Sequence, residues 1–327
     1  MIHKSFFIVG GAGFIGGHFV DRLLSAAEVK AVTIYDNFSS GREWHFAAHL
    51  EDARFSVVRG DVKDLKHLTS AMDGHEAVIH LASNPDIARA AIEPDIDFRE
   101  GTLLTNHVVE AMRLTGAATI LYASGSGVYG DLGETEAEED HGPMIPLSTY
   151  GASKLAGEAL ISSYAYMFGI RGRAFRFGNV VGPRQTHGVG FDFIRQLMGA
   201  PGRLRILGDG TQSKSYIHVD DVCNAVLTAL EKTEGGFQVY NVATGDYVTV
   251  REIAGLAVQV MDLPPGSVAF EFTGGNRGWK GDVPIVRLNT DRIRSLGWTC
   301  GLKTREALRA SMQSMLRDAR LGRLWAA

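Results

Sequence analysis

The sequence predicts an α/β fold in which a doubly wound parallel sheet carries a smaller C-terminal α/β lobe. Three observations point there. Short apolar, β-branched runs alternate with helical patterns over the first two-thirds of the chain. The runs lack in/out alternation, as strands covered by helices on both faces do. A glycine-rich turn joins the first run to the first helical pattern.

In chain order the expected strands are "SFFIVG" (5–10), "AVTIYD" (31–36), "FSVVRG" (55–60), "AVIHLAS" (77–83) and "ATILYAS" (118–124). Helical patterns lie near 14–26, 64–72 and 102–115, and "RAFRFGNV" (173–180) and "VYNVAT" (239–244) supply two further strands. Repeated strand, helix, strand units give right-handed crossovers. Past about residue 180 the rhythm breaks into "GNVVGPRQTHGVG", "GDGTQSKSY" and "TGGNRGWKGDVP", loop compositions assigned to the smaller lobe. The expected division is 1–178 with about 215–246 for a nucleotide-binding domain, and about 179–214 with 247–327 for a substrate lobe. The acidic "GETEAEEDHGP" (133–143) reads as a solvated loop.

A chain of 327 residues suits a large domain with a smaller companion. With 45% hydrophobic and 21% charged residues it reads as an ordinary soluble protein. Net charge is −4 with no basic stripe, so nucleic acid is not an expected partner. The start, "MIHKSFFIVGGAGFIGG", is too short and glycine-broken for a signal peptide, and no run is long enough to span a membrane. Cys223 and Cys300 stand far apart without metal-ligand spacing, so the expectation is a reduced, cytoplasmic protein with no metal.

"VGGAGFIGGH" spaces Gly10, Gly13 and Gly16 as G-x-x-G-x-x-G, with Phe14 and Ile15 opening the helix. Glycines let the backbone turn tightly against a pyrophosphate, whose charge meets the free amides of the helix N-terminus. Asp36, followed by Asn37, ends the second strand about 20 residues on, where a carboxylate accepts bonds from the adenosine ribose. That favours NAD over NADP, with Arg42 in "NFSSGRE" as the feature that leaves the choice open. In "GDV", Asp61 beside Val62 serves either the adenine amino group or a helix N-cap. Leu81, Ala82 and Ser83, after the fourth strand, are expected along the cofactor, and His80 is expected to pack nearby with its ring bonded to backbone. The cofactor-binding part is thus of Rossmann type.

"STYGASK" places Tyr150 and Lys154 at i and i+4 on one helical face. A phenol of ordinary pKa near 10 is a poor base at neutral pH, and an adjacent ammonium favours the phenolate. Such a phenol can take and return a hydroxyl proton while hydride moves to or from a nicotinamide ring.

Together with "HLAS", "VYGD", "RFGNVVGPR", "GDGTQSKSYIHVDDV", "YNVATGD" and "GWKGDVP", these motifs span nearly the whole chain. The sequence resembles the extended short-chain dehydrogenases/reductases that modify nucleotide sugars. Within that family it is most similar to UDP-glucose 4-epimerases and their uronic-acid-epimerising relatives, with which it shares "GPR-x-x-HGV". The resemblance implies bound NAD, oxidation of a UDP-sugar at C4, and a homodimer paired through the helices at 102–115 and 150–168. It makes Tyr150 the base, Lys154 its partner and a nicotinamide-ribose ligand, and Asn179 a diphosphate contact with Arg184 nearby. It also places Lys214 where the family has arginine, and Arg277 and Asp282 on a segment that closes over the nucleotide. Asn84 would reach the sugar or nicotinamide side. Arg176, inside a strand, is either part of the site or a structural ion-pair partner.

One position departs from the family. The Ser or Thr that bonds the sugar 4-hydroxyl lies three residues before the valine of "VYG", which here is Gly125. Ser124 and Ser126 straddle it, and Ser126 is the better substitute because Gly125 and Gly127 free the backbone around it. The alternative is that both serines satisfy local amides. The family's dehydratases carry Thr-Asp-Glu before "VYG", and its uronate decarboxylases keep a glutamate just before the valine. Gly-Ser-Gly here leaves reversible oxidation at C4 as the chemistry, so epimerisation leads. A dehydratase, decarboxylase or reductase is the second reading, and a non-catalytic NAD-binding regulator, against which Tyr150 and Lys154 argue, is the third.

Overall fold

The computed structural model describes residues 3–323. Its centre is a seven-stranded, all-parallel sheet of β1 (Ser5–Val9), β2 (Ala31–Asp36), β3 (Phe55–Arg59), β4 (Ala77–His80), β5 (Thr119–Gly125), β6 (Arg171–Phe177) and β7 (Phe237–Val242). The strand order is β7-β6-β5-β4-β1-β2-β3. The helices are α1 (Phe14–Leu24), α2 (Leu65–Met72), α3 (Leu103–Thr115), α4 (Thr149–Phe168), α5 (Val189–Gly199), α6 (Val219–Lys232), α7 (Val250–Val260), α8 (Asp291–Ser295) and α9 (Thr304–Arg320).

The uniform apolar character of β1 has a direct cause. Successive side chains of a strand point to opposite faces, and both faces here are cores. Phe6 and Ile8 pack with Phe19, Val20 and Leu23 of α1 and Val222 and Val226 of α6. Phe7 and Val9 pack with Leu68 of α2 and Val108 and Met112 of α3 on the other side. The same reading fails at β3, the sheet edge, where Ser56, Val57 and Arg59 are exposed.

The strand expected over 173–180 breaks at Gly178. Asn179–Val181 leaves the sheet and pairs in parallel with Tyr216–His218. Beyond it, Phe191, Ile194 and Leu197 of α5 pack with Ile253 and Leu256 of α7 and Leu308 and Met312 of α9 in a separate core. Strand Arg203–Ile206, paired with Ala269–Phe272, contributes Leu204 and Ile206 to it. The acidic stretch 133–143 is not simply solvated. Glu136–Ala137 pairs with Arg287–Leu288, and Glu139 is buried, accepting the Asn241 N–H at 2.9 Å.

Candidate active site

The strand order reverses at β1: the chain runs outward to β3, then returns to place β4 on the other side. The carboxyl ends of β1 and β4 therefore diverge, the position at which open α/β sheets bind ligands. A cleft of about 1650 Å³ opens there and extends to the smaller lobe.

Its floor at one end is the glycine turn. Gly10 has φ +79°, and a Cβ there would lie 2.7 Å from the Ala82 nitrogen. A Cβ on Gly16 would lie 2.5 Å from the Gly11 carbonyl oxygen, so this glycine brings α1 down onto the turn. Gly13 is the N-cap of α1, with no side-chain cap and no acid in the first turn, and Phe14, Ile15 and Gly16 line the cleft. The open amides and the positive helix end suit a pyrophosphate. Asp36 accepts the Ala12 N–H at 3.0 Å and the Phe38 N–H at 2.7 Å, which fixes its carboxyl at the cleft wall beside Asn37. Burial pushes this carboxyl above its usual range against the pull of those two amides. Arg42 lies outside the cleft lining and donates to the Gly41 carbonyl at 3.1 Å. These features fit a dinucleotide without a 2′-phosphate. The protein is expected to bind NAD much more tightly than NADP in a titration; comparable affinities would contradict the placement of Asp36.

Asp61 and Val62 line the same end. The cap of α2 is Asp64, which accepts the His67 N–H at 3.0 Å, so Asp61 is not the N-cap. Leu81, Ala82 and Ser83 follow along the wall. His80 is fully buried, and its ring bonds the Thr105 hydroxyl at 3.1 Å rather than backbone. Burial and the nearby Lys154 charge push its pKa down to about 3, so at neutral pH it is no acid.

At the centre, Ser148 caps α4 by accepting the Gly151 N–H at 3.1 Å, and the next residues carry Tyr150 and Lys154 into the cleft. The Lys154 ammonium donates to the Ala123 carbonyl at 2.7 Å and lies 5.5 Å from the centre of the Tyr150 ring. Burial opposes the charged lysine, but Tyr150 and Tyr122 outweigh it and raise its pKa above the ordinary value. The pair thus sets a fixed cation beside a phenol.

The two serines separate clearly. Ser124 also lines the cleft, but it is buried and donates to Glu158 Oε1 at 2.5 Å, so its hydroxyl is already engaged within the protein. Glu158 in turn pairs with Arg176 at 2.7 Å, and both are buried. Ser126 lines the cleft, and no partner holds its hydroxyl among the described residues. Gly125 is extended (φ −161°, ψ 162°), and a Cβ there meets nothing within 4 Å. Ser126→Ala is therefore expected to lower turnover roughly tenfold to a hundredfold, the scale of one bond of 1–3 kcal/mol to a reacting hydroxyl. Ser124→Ala should act on stability instead, and Gly125→Thr should fold. Equal turnover in both alanine variants and wild type would make both serines structural.

Asn84 lines the cleft, whereas Arg184 and Arg277 lie outside its lining. The amide of Asn84 is engaged by the protein: Nδ2 donates to Asp97 Oδ1 at 2.8 Å and to the Asp86 carbonyl at 2.9 Å. Arg184 points away from the cleft, bonding the His45 carbonyl and pairing with Asp21 on α1. Arg277 pairs with Asp131 at 2.7 Å and bonds the Asp282 carbonyl, outside the cleft lining. Asn179, Lys214 and Asp282 do line the lobe side, with Lys214 and Asp282 paired to each other. Sequence reasoning missed Glu158, although it stands four residues after Lys154 on one helical stripe. It also missed Gln212 and Trp279, which face the cleft from the lobe and carry no spacing signal. Among the described residues, no group of three or more His, Cys, Asp or Glu side chains is placed to hold a metal ion.

A nucleotide turn with Asp36, and a Tyr–Lys pair facing it across one cleft, define a dinucleotide-dependent enzyme of the extended short-chain type. Residues 6–243 match the NAD dependent epimerase/dehydratase family, and the chain belongs to that family. It is 34% identical to the UDP-glucose 4-epimerase of Mycolicibacterium smegmatis, over 89% of this chain and 92% of that one. It is 30% identical to a dTDP-glucose 4,6-dehydratase of Streptomyces griseus, over 93% and 92%. A crystal structure of a UDP-galactose 4-epimerase superposes with a TM-score of 0.84 at 34% identity, covering 96% of this chain and 99% of that one. The cofactor of the family is NAD.

Proposed function

We propose that the protein interconverts UDP-sugars epimeric at C4, UDP-glucose and UDP-galactose or the corresponding uronic acids, through a transient 4-keto sugar. The observation that carries this reading is the stretch Gly125-Ser126-Gly127 beside Tyr150. It brings one hydroxyl to the reacting centre and no carboxylate, whereas eliminating water requires a further acid and base there. Glu158, the acid next to this stretch, is locked to Arg176 and Ser124 below it.

When bound, NAD supplies a two-electron acceptor and donor. The protein supplies the rest. Tyr150 takes the proton of the sugar 4-hydroxyl and returns it, and Lys154 holds the phenol near its charge. Ser126 bonds the same hydroxyl, and the side-chain-free positions on either side leave room for the flat ketone to present its other face. Asn179, Lys214 and Asp282 hold the nucleoside diphosphate from the lobe. We assign the first task to 1–178 with about 215–246 and the second to about 179–214 with 247–327, within which Ile293 and Trp298 pack into the core of the sheet.

We also assign a cytoplasmic homodimer. Support for pairing comes from α3 and α4, which lie side by side and expose Leu114, Tyr166 and Met167; light scattering of the purified protein tests it. Among the described residues no helix is long and apolar enough to cross a membrane. The activity itself is tested with a panel of UDP-hexoses and UDP-uronates, products being separated by anion-exchange chromatography. The expected product is the C4 epimer of one substrate. A 4-keto-6-deoxy product, or loss of carbon dioxide from a uronate, would replace this reading with the dehydratase or decarboxylase one.

A further inference from the structure

Asp97 is 1% exposed, yet no Lys, Arg or His is paired with it among the described residues. Its two oxygens accept from neutral groups: Oδ1 from Asn84 Nδ2 at 2.8 Å, Oδ2 from the Thr149 hydroxyl at 2.6 Å. A buried carboxyl with only neutral partners is costly to keep, and these partners show what it holds. Asn84 sits in the loop after β4 that lines the cleft; besides its bond to Asp97, it accepts the Asp86 N–H at 3.0 Å. Thr149 is the first residue of α4, directly before Tyr150. Asp97 thus clamps one wall of the cleft to the turn of helix that carries the phenol. Its charge also acts on the Lys154 ammonium, alongside Tyr150 and Tyr122.

We propose that Asp97 is a positioning residue for the reaction, acting through the Thr149 hydroxyl to fix Tyr150 against the sugar. The proposal rests on the epimerase reading given above. The Ser148 cap and the Asp97 clamp hold the same helix start from two sides: Ser148 satisfies a backbone amide of α4, and Asp97 fixes its lateral position relative to the loop at 84–86. Small displacements of a reacting group are expensive, about a hundredfold per ångström in favourable cases.

The test compares Thr149→Ala, Thr149→Ser and Asp97→Asn with wild type, all as NAD-loaded protein. The measurements are kcat and KM on the UDP-sugar that wild type epimerises, NAD content, and the thermal midpoint. Thr149→Ala removes the tether and should lower kcat roughly tenfold or more, with KM and NAD content within twofold of wild type. Thr149→Ser keeps the hydroxyl and should restore kcat. Asp97→Asn leaves one acceptor oxygen for two donors, so it loosens one side of the clamp and should lower kcat with KM unchanged. Wild-type kcat in both Thr149→Ala and Asp97→Asn would overturn the proposal. So would a fall in kcat that merely tracks lost NAD and a lowered thermal midpoint, since that is what a purely structural role predicts. Wild-type protein that turns over no UDP-sugar would overturn the epimerase reading, and the proposal with it.

Discussion

Tyr150→Phe should reduce epimerisation by a hundredfold or more while the protein stays folded with NAD bound. The expectation follows from what the phenol hydroxyl alone does. The ring keeps its place on α4, and Lys154 loses the phenol oxygen but keeps its bond to the Ala123 carbonyl, which holds the ammonium in the cleft. What disappears is the phenol oxygen that the proposed reaction uses to take the 4-hydroxyl proton, and positioned general bases contribute about 10²–10⁴-fold. NAD content and steady-state rate, measured on one preparation, check both halves. Near-normal turnover would remove Tyr150 from the mechanism, and loss of NAD would make it a cofactor anchor instead.

Arg176→Met should destabilise the protein by about 3–5 kcal/mol, the cost of leaving a buried charge without its partner. Arg176 is 2% exposed and Glu158 3%, and Arg176 meets Glu158 through two nitrogens, at 2.7 and 3.0 Å. The same guanidinium bonds the Tyr129 hydroxyl at 2.8 Å and the Glu139 carbonyl at 2.9 Å. It therefore ties β6 to α4, to the turn after β5 and to the acidic loop. Replacing Glu158 and Arg176 together by apolar residues should cost less than the sum of the single changes, because no unpaired charge remains. Urea denaturation of the two single variants and the double variant measures this. A single-variant loss below 1 kcal/mol would show that the pair is solvated or dispensable.

The sheet was legible because its strands report their burial. β1, β2 and β4 are apolar at most positions on both faces, since both faces are covered, and that pattern excludes a half-exposed strand. The same rule misread β3, an edge strand whose exposed positions hold valine beside serine and arginine. It also ran β6 two residues past the point where Gly178 turns the chain into the lobe. In the site, Gly10, Asp36, Tyr150 and Lys154 were readable because the chemistry needs those residue types at fixed local spacings. Long-range partners were not readable. Nothing local says that Ser124 meets Glu158, that Asn84 meets Asp97, or that Arg184 turns toward Asp21, since each contact is made only when distant elements pack. The lobe was least legible for the same reason: its cleft-lining groups sit on loops without a repeat.

In the proposed epimerisation, hydride leaves C4 of the sugar and returns to C4. UDP-glucose carrying deuterium at C4 tests this most directly, with UDP-glucuronate labelled in the same way as the second substrate. Mass spectrometry and NMR are expected to find the C4 epimer with its deuterium still at C4. Deuterium transferred to C6 of a 4-keto-6-deoxy sugar, or an epimer that has exchanged its label for solvent hydrogen, would contradict this.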